Sequence, residues 1–169
     1  ALGIVLTTLL GLFAGIARLS TNWLVRNIAA VYIEIFQSTP LLVQLFFWFY
    51  AGPMLFGKSL QFKINSIAGL NYHVAVVALG LYTASRVAEH VRAGFASIGH
   101  GQYDAVLSTG MTHLQMYWYV IVPHALRLII PPLTTEFLTI FKNSAVAMTI
   151  GVAETTFMSY KIDEQTFHG

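Results

Sequence analysis

Three long stretches of this chain carry no charged side chain: residues 1–17, 41–56 and 70–85. Seventeen helical residues rise roughly 26 Å, close to the thickness of a hydrocarbon core of about 30 Å. Such runs demand an apolar environment along their whole length. The rest of the chain cannot supply one in water. Only 9% of its 169 residues are Asp, Glu, Lys or Arg, against about 25% in soluble domains. Sixteen charges cannot coat a soluble globule of this size. The same scarcity excludes a disordered tail and a nucleic-acid binder, which needs dense Lys/Arg. No Cys is present, so disulfides and thiolate metal sites are out. The composition implies one integral membrane domain built of helices.

Four spans are expected. The first covers Ala1–Ala17 and ends at Arg18, with Arg26 close behind in a loop. Its Gly11-Leu-Phe-Ala-Gly15 pattern would let another helix approach closely. The second covers Leu41–Phe56, with a start as early as Ile35, and Pro40 suits its first turn. Residues 57–69 carry Lys58, Lys63, Gln61, Asn65 and Ser66, and read as an aqueous loop. The third covers Leu70–Ser85 and continues as helix through Arg86, Glu89 and Arg92, whose spacing puts them in a ladder on one face. Residues 114–130 read as a lead-in segment, and the fourth span as Leu133–Val152. The tail from Glu154 to Gly169 contains no further span. Five Lys/Arg (Arg18, Arg26, Arg86, Arg92, Arg127) then share one side against three (Lys58, Lys63, Lys161) on the other, so residues 94–113 are expected in the cytoplasm.

That 94–113 stretch breaks the apolar pattern. Gly94, Gly99, Gly101 and Gly110 punctuate it, and about two turns of helix fit between the last two. Asp104 is expected near the N-terminus of this helix, where the dipole favours a carboxylate. Gly110 stands where a left-handed cap belongs. Tyr103, Val106 and Leu107 form an apolar stripe, which needs either its own bundle or another protein to cover it.

Several motifs lead nowhere. Gly52-Pro-Met-Leu-Phe-Gly57-Lys58-Ser59 matches GxxxxGK[ST], but it follows an apolar helix rather than a strand, so nucleotide binding is rejected. The six His form neither HxxxH nor HExxH, no GxSxG is present, and no catalytic residues or metal site are expected. Lys142 stands apart. An ammonium deep in a bilayer costs on the order of 2.5–3.5 kcal/mol. It reads either as a contact for a polar solute, together with Asn143 and Ser144, or as a side chain that snorkels or forms an ion pair with Glu136.

The 101–123 stretch reads Gly101-Gln102-Tyr103-Asp104-Ala105-Val106, three residues, Gly110, nine residues, then Val120-Ile121-Val122-Pro123. It resembles the cytoplasmic EAA loop of permease subunits in ATP-binding-cassette importers (E-A-A, three residues, G, nine residues, I-x-L-P). Asp104 stands for Glu and Val106 for the second Ala. The blocks from Tyr32 to Gln44, from Glu89 to Gly94 and from Phe141 to Ser144 resemble the polar amino acid branch, nearest its glutamate/aspartate permeases. Gln37 stands where that family commonly has Arg.

This resemblance implies an all-α, polytopic bundle of the type I importer kind, a single permease domain over 1–169. A coupling loop would lie at about 94–123, and a fifth span would be missing from the four visible. It implies a bacterial cell inner (cytoplasmic) membrane protein. Its partners would be a cytoplasmic ATPase dimer, a second permease subunit, an extracytoplasmic amino-acid-binding protein and the lipid bilayer, with no nucleic acid. The chain itself would hold no cofactor, and ATP and Mg would sit on the ATPase. Gly101, Gln102, Asp104, Ala105, Val106, Gly110 and Pro123 would couple to that ATPase, the apolar stripe docking into its groove. Lys142, Asn143 and Ser144 would line the solute path. Where relatives often carry Asp beside this Lys, Asn143 leaves a net positive site, so an acidic amino acid is expected ahead of glutamine or a basic one.

Overall fold

A computed structural model describes residues 2–55 and 58–152. Phe56, Gly57 and the tail beyond Val152 lie outside the described residues, and with them the expected spanless tail. Every regular element among the described residues is helical: α1 Leu2–Arg18, α2 Trp23–Ser38, α3 Leu41–Phe46, α4 Lys58–Asn65, α5 Leu70–Ala96, α6 His100–Leu107, α7 His113–Met116 and α8 Val122–Ser144. A π-turn at Phe47–Ala51 and a 3-10 turn at Gly52–Leu55 extend α3. Another π-turn, Tyr117–Ile121, joins α7 to α8, and a 3-10 turn, Ala145–Ile150, prolongs α8.

The glycines of α1 decide how the bundle assembles. Gly11 faces Val87 and the Ala84 carbonyl of α5, Gly15 faces Val91 and the Ala88 carbonyl, and Leu6 packs over Gly80. This pairing order makes α1 and α5 parallel neighbours in close backbone contact. A Cβ on Gly11 would lie 2.5 Å from the Val87 Cγ1 and 3.0 Å from the Ala84 carbonyl oxygen. Gly11→Leu is therefore expected to cost about 1–3 kcal/mol by overpacking. A thermal melt in detergent checks this, and an unchanged Tm would refute it.

Parallel neighbours need a long return connection, and residues 19–69 supply it. Here the structure corrects the expected second span. α2 begins at Trp23, capped by Asn22, whose Oδ1 accepts from the Leu24 and Val25 amides. Arg26 is thus on a helix rather than in a loop. α2 and the Leu41–Leu55 segment meet at Thr39-Pro40 and are bent by 104°. Pro40 is the residue just before α3, and its missing N–H ends the ladder of α2. Two carbonyls freed there, those of Phe36 and Thr39, both accept from the buried Gln44 Nε2 at 2.8 Å. No described helix is by itself long and apolar enough to cross a membrane, but the two arms of this bent pair together have the length and composition to do so. The expected aqueous loop at 57–69 contains α4. Gly52–Leu55, the start of the phosphate-loop look-alike, is a 3-10 turn behind helical residues.

α8 runs antiparallel to α5. Gly94 is buried under Ile129, and further along Arg86 meets Glu136. Gly94 is therefore a packing glycine inside α5, not a break before the loop. The expected boundary near Ile130 is also absent, since α8 continues through Pro131 and Pro132. Three apolar cores result among the described residues. Leu41, Leu45, Ala78, Leu79, Ala147 and Ile150 form the first, Val87, Val91, Met116, Ile121, Ala125 and Ile129 the second, and Ala14, Ile33 and Ala88 a small third. The second core carries the 97–121 segment.

Candidate coupling loop and solute-path residues

α6 opens after Gly99 and is followed by Gly110, whose φ of +84° is a conformation L side chains rarely adopt. The chain then turns into α7 through a capping box. Thr112 Oγ1 accepts from the Gln115 amide at 3.3 Å, while the Thr112 amide donates to Gln115 Oε1 at 2.9 Å. These local rules hold α6 as a rigid bracket between two turns.

The bracket has two faces, and the structure settles which is free. Tyr103, Val106 and Leu107 pack against the second core, with Tyr103 also near the ring of Tyr117. Burial first, and then Tyr117, push the Tyr103 phenol above its usual range. The stripe is therefore taken by the chain's own bundle, which corrects the expectation that it docks into an ATPase groove. Left exposed are Gly101, Gln102, Asp104 and Ala105. Asp104 is in the middle of α6, since the first turn holds no acid. Pro123 is half-buried at the start of α8. A Cβ at Gly99, Gly101 or Gly110 would meet nothing within 4 Å.

Lys142, Asn143 and Ser144 sit at the far end of α8, where the following 3-10 turn joins the first core. Lys142 is exposed, and Asn143 and Ser144 are half-buried. The fold thus separates the predicted residues into a loop group and a Lys142 group at opposite ends of α8.

Glu136 does not pair with Lys142. Its carboxylate, 3% exposed, accepts from Arg86 Nε at 2.9 and 3.0 Å and lies 3.2 Å from His90 Nε2. This cluster ties α5 to α8. The expected Arg86–Glu89–Arg92 ladder accordingly splits. Arg86 turns to α8, while Arg92 grips Glu89 through Nη2 at 2.6 Å. That hydrogen bonding, with Arg18 adding its field, holds the Glu89 carboxyl below the usual range. Spacing hinted only at Arg86 and His90 sharing a face at i and i+4. Their partner fifty residues on left no signal.

Comparison with known proteins follows the same outline. The model of the family described as "Binding-protein-dependent transport system inner membrane component" matches residues 7–164. The chain is 36% identical over 167 residues to the glutamate/aspartate import permease protein GltJ of Escherichia coli, covering 97% of this chain and 68% of that protein. It is 33% identical over 161 residues to the glutamine transport system permease protein GlnP of Escherichia coli, covering 95% and 70%. Among solved structures, one described as an amino acid ABC transporter with histidines superposes with a TM-score of 0.82 at 36% identity, over 98% of this chain and 73% of that one.

Proposed function

The chain belongs to the family of binding-protein-dependent transport system inner membrane components, as an amino acid ABC importer permease, and from that membership we propose that its cargo is an acidic amino acid, glutamate or aspartate. In this reading it is a non-catalytic subunit and spans a bacterial cytoplasmic membrane several times. It pairs with a second permease subunit, and a binding protein outside delivers the solute. A cytoplasmic ATPase dimer holds ATP and Mg and drives the cycle. The observation that carries the coupling role is the free polar face of α6. Gly101, Gln102, Asp104 and Ala105 are exposed, while the apolar side of the same helix packs against the second core. A load applied to this face passes through Tyr103 and Leu107 into the core that both long helices share. That is the requirement for a rigid-body switch of helix bundles.

The acidic cargo is supported by charge. Lys142 is exposed, Glu136 is engaged elsewhere, and the next residue is the neutral amide of Asn143. The cation is left to a solute carboxylate. Glutamine is the second reading, favoured by the comparable identity to GlnP. Competition of labelled glutamate uptake through the intact importer separates the two. Aspartate is expected to compete, and arginine and glutamine are not. Asn143→Asp, which neutralises the site, is expected to raise the KM for glutamate about tenfold, the loss of one charge-assisted contact. Competition by glutamine or arginine but not aspartate would reverse the assignment.

A further inference from the structure

Helix α2 meets the bundle where two charge-free runs stop. The run 41–56 begins just past Pro40, and the run 70–85 ends just before Arg86. Gln37 Nε2 donates to the Ser85 carbonyl at 3.0 Å, so the two runs meet at one level of the bundle. From there α3 and the π-turn after it climb along α5. Leu41, Leu45 and Trp48, one face of that segment, pack with Ala75, Ala78 and Leu79. The angle between α2 and Leu41–Leu55 is 104°, so α2 runs across α5 rather than along it.

The circumference of α2 is sorted to match. An α-helix turns about 100° per residue. Ala29 and Ile33, both buried, mark the side that rests on the bundle, where Ile33 packs with Ala14 of α1 and Ala88 of α5. Arg26, Asn27, Glu34 and Gln37 fall on one flank, within an arc of roughly 100°. Val25, Tyr32 and Phe36 fall on the opposite flank. The side away from the bundle carries Leu24, Ile28, Val31 and Ile35 within an arc of roughly 60°, and they are 57%, 63%, 56% and 56% exposed. The two flanks also have a direction. Tyr32 Oη donates to the Leu81 carbonyl at 2.7 Å, inside the charge-free run, whereas Gln37 reaches Ser85 at its end. The inside of the bend holds a cavity of about 280 Å³, whose apolar lining includes Ile35, Phe36, Val43 and Phe47. The apolar flank of α2 therefore lies on the side where α3 and the run 70–85 rise. The polar flank lies on the side of Arg86, Glu89 and Arg92.

We propose that α2 lies flat in the interface of the bilayer, on the membrane face that also carries α6, and that of the bent pair only the Leu41–Leu55 arm enters the hydrocarbon. Lipid covers the exposed stripe of Leu24, Ile28, Val31 and Ile35. As an upright arm, α2 would carry Arg26 and Glu34 toward hydrocarbon, where charges are costly. Lying flat, it keeps both in water and sinks one continuous apolar side, the arrangement of an in-plane amphipathic helix. Through Ile33 it then fixes the depth of α1 and α5, and with them the height of α6 above the membrane surface. The proposal rests on the membrane setting of the family and not on the cargo.

The chain has no Cys, so each single-cysteine variant reports one site. Leu24→Cys, Ile28→Cys, Val31→Cys and Ile35→Cys, with Glu34→Cys on the polar flank, are tagged with a nitroxide in an importer whose other subunits carry no reactive cysteine. The importer is reconstituted into vesicles of phosphatidylethanolamine and phosphatidylglycerol. Collision with oxygen, which favours hydrocarbon, and with a water-soluble nickel chelate gives the depth of each tag. The four stripe sites are expected at one shared depth, about 5–10 Å into the headgroup and acyl boundary, and Glu34→Cys is expected to meet the chelate far more often than they do. A steady change in depth of about 16 Å from Leu24 to Ile35 would make α2 an arm of a broken span and overturn the proposal. Exclusion of both reagents from the stripe would overturn it in favour of a protein partner or a second copy. Free access of the chelate to all five sites would place the helix in water and overturn it too. Tryptophan at the same four positions, quenched by lipids brominated at known depths, gives a second reading where a tagged variant loses uptake, and unequal quenching along the helix counts against the proposal in the same way. A cargo other than glutamate would change none of these depths.

Discussion

Gly110→Arg is expected to abolish ATP-driven uptake while leaving the bundle folded. The residue has a φ of +84° and open space around its Cα. An L side chain there costs about 1–2 kcal/mol in backbone strain, and relief of that strain tilts α6 against its anchored stripe. The arginine also stands at the end of the free face that carries Asp104. If this face couples to an ATPase, a coupling free energy of about 1–3 kcal/mol is at risk, and uptake falls about tenfold or more. Capture of the ATPase should weaken in parallel, while the Tm of the subunit changes little. Gly110→Asn, which tolerates the left-handed region, should retain most activity. Normal coupled uptake by the arginine variant would end the docking role of this loop.

Arg86→Leu should be the most destabilising single change in the membrane core. It strips a 3%-exposed carboxylate, Glu136, of its principal cation and leaves only His90. Breaking a buried pair from one side costs about 3–5 kcal/mol. The Arg86 side chain is itself 43% exposed, so solvent screens part of its pairing and the lower end of that range applies. Adding Glu136→Leu removes the orphaned charge as well, and the double variant is expected to recover most of the loss. Melts of the four proteins of the cycle decide the matter. If the double variant is no more stable than Arg86→Leu, the cost lies in packing and not in an unpaired carboxylate.

How much of this was legible beforehand depended on the range of the interactions involved. Apolar runs announced a membrane bundle because burial acts on every residue of a run. The left-handed Gly110 and the two turns of α6 were readable because both follow from local backbone rules. The Gly11–Gly15 pattern found its partner in α5, although the pattern named no partner. The 104° bend at Pro40 and the helix start at Trp23 escaped because α2 carries Arg26 and Glu34 and so breaks the apolar run that signals a span. Gly94 and the Pro131-Pro132 pair were misread as boundaries. The backbone cost of Gly94 is offset by close packing under Ile129, and α8 runs on through both prolines although the carbonyls of Arg127 and Leu128 lose their amide partners there.

The sequence by itself determined the helical class, the membrane setting, the loop with its fixed glycine and the identity of the cations. Each rests on properties that a residue keeps whatever its neighbours in space. Tertiary structure alone decided which side of α6 is free, that Glu136 belongs to Arg86 and His90 rather than Lys142, and that α2 runs across α5 rather than along it. Those outcomes depend on which surfaces compete for the same partner, and residues fifty positions apart compete only once the chain has folded.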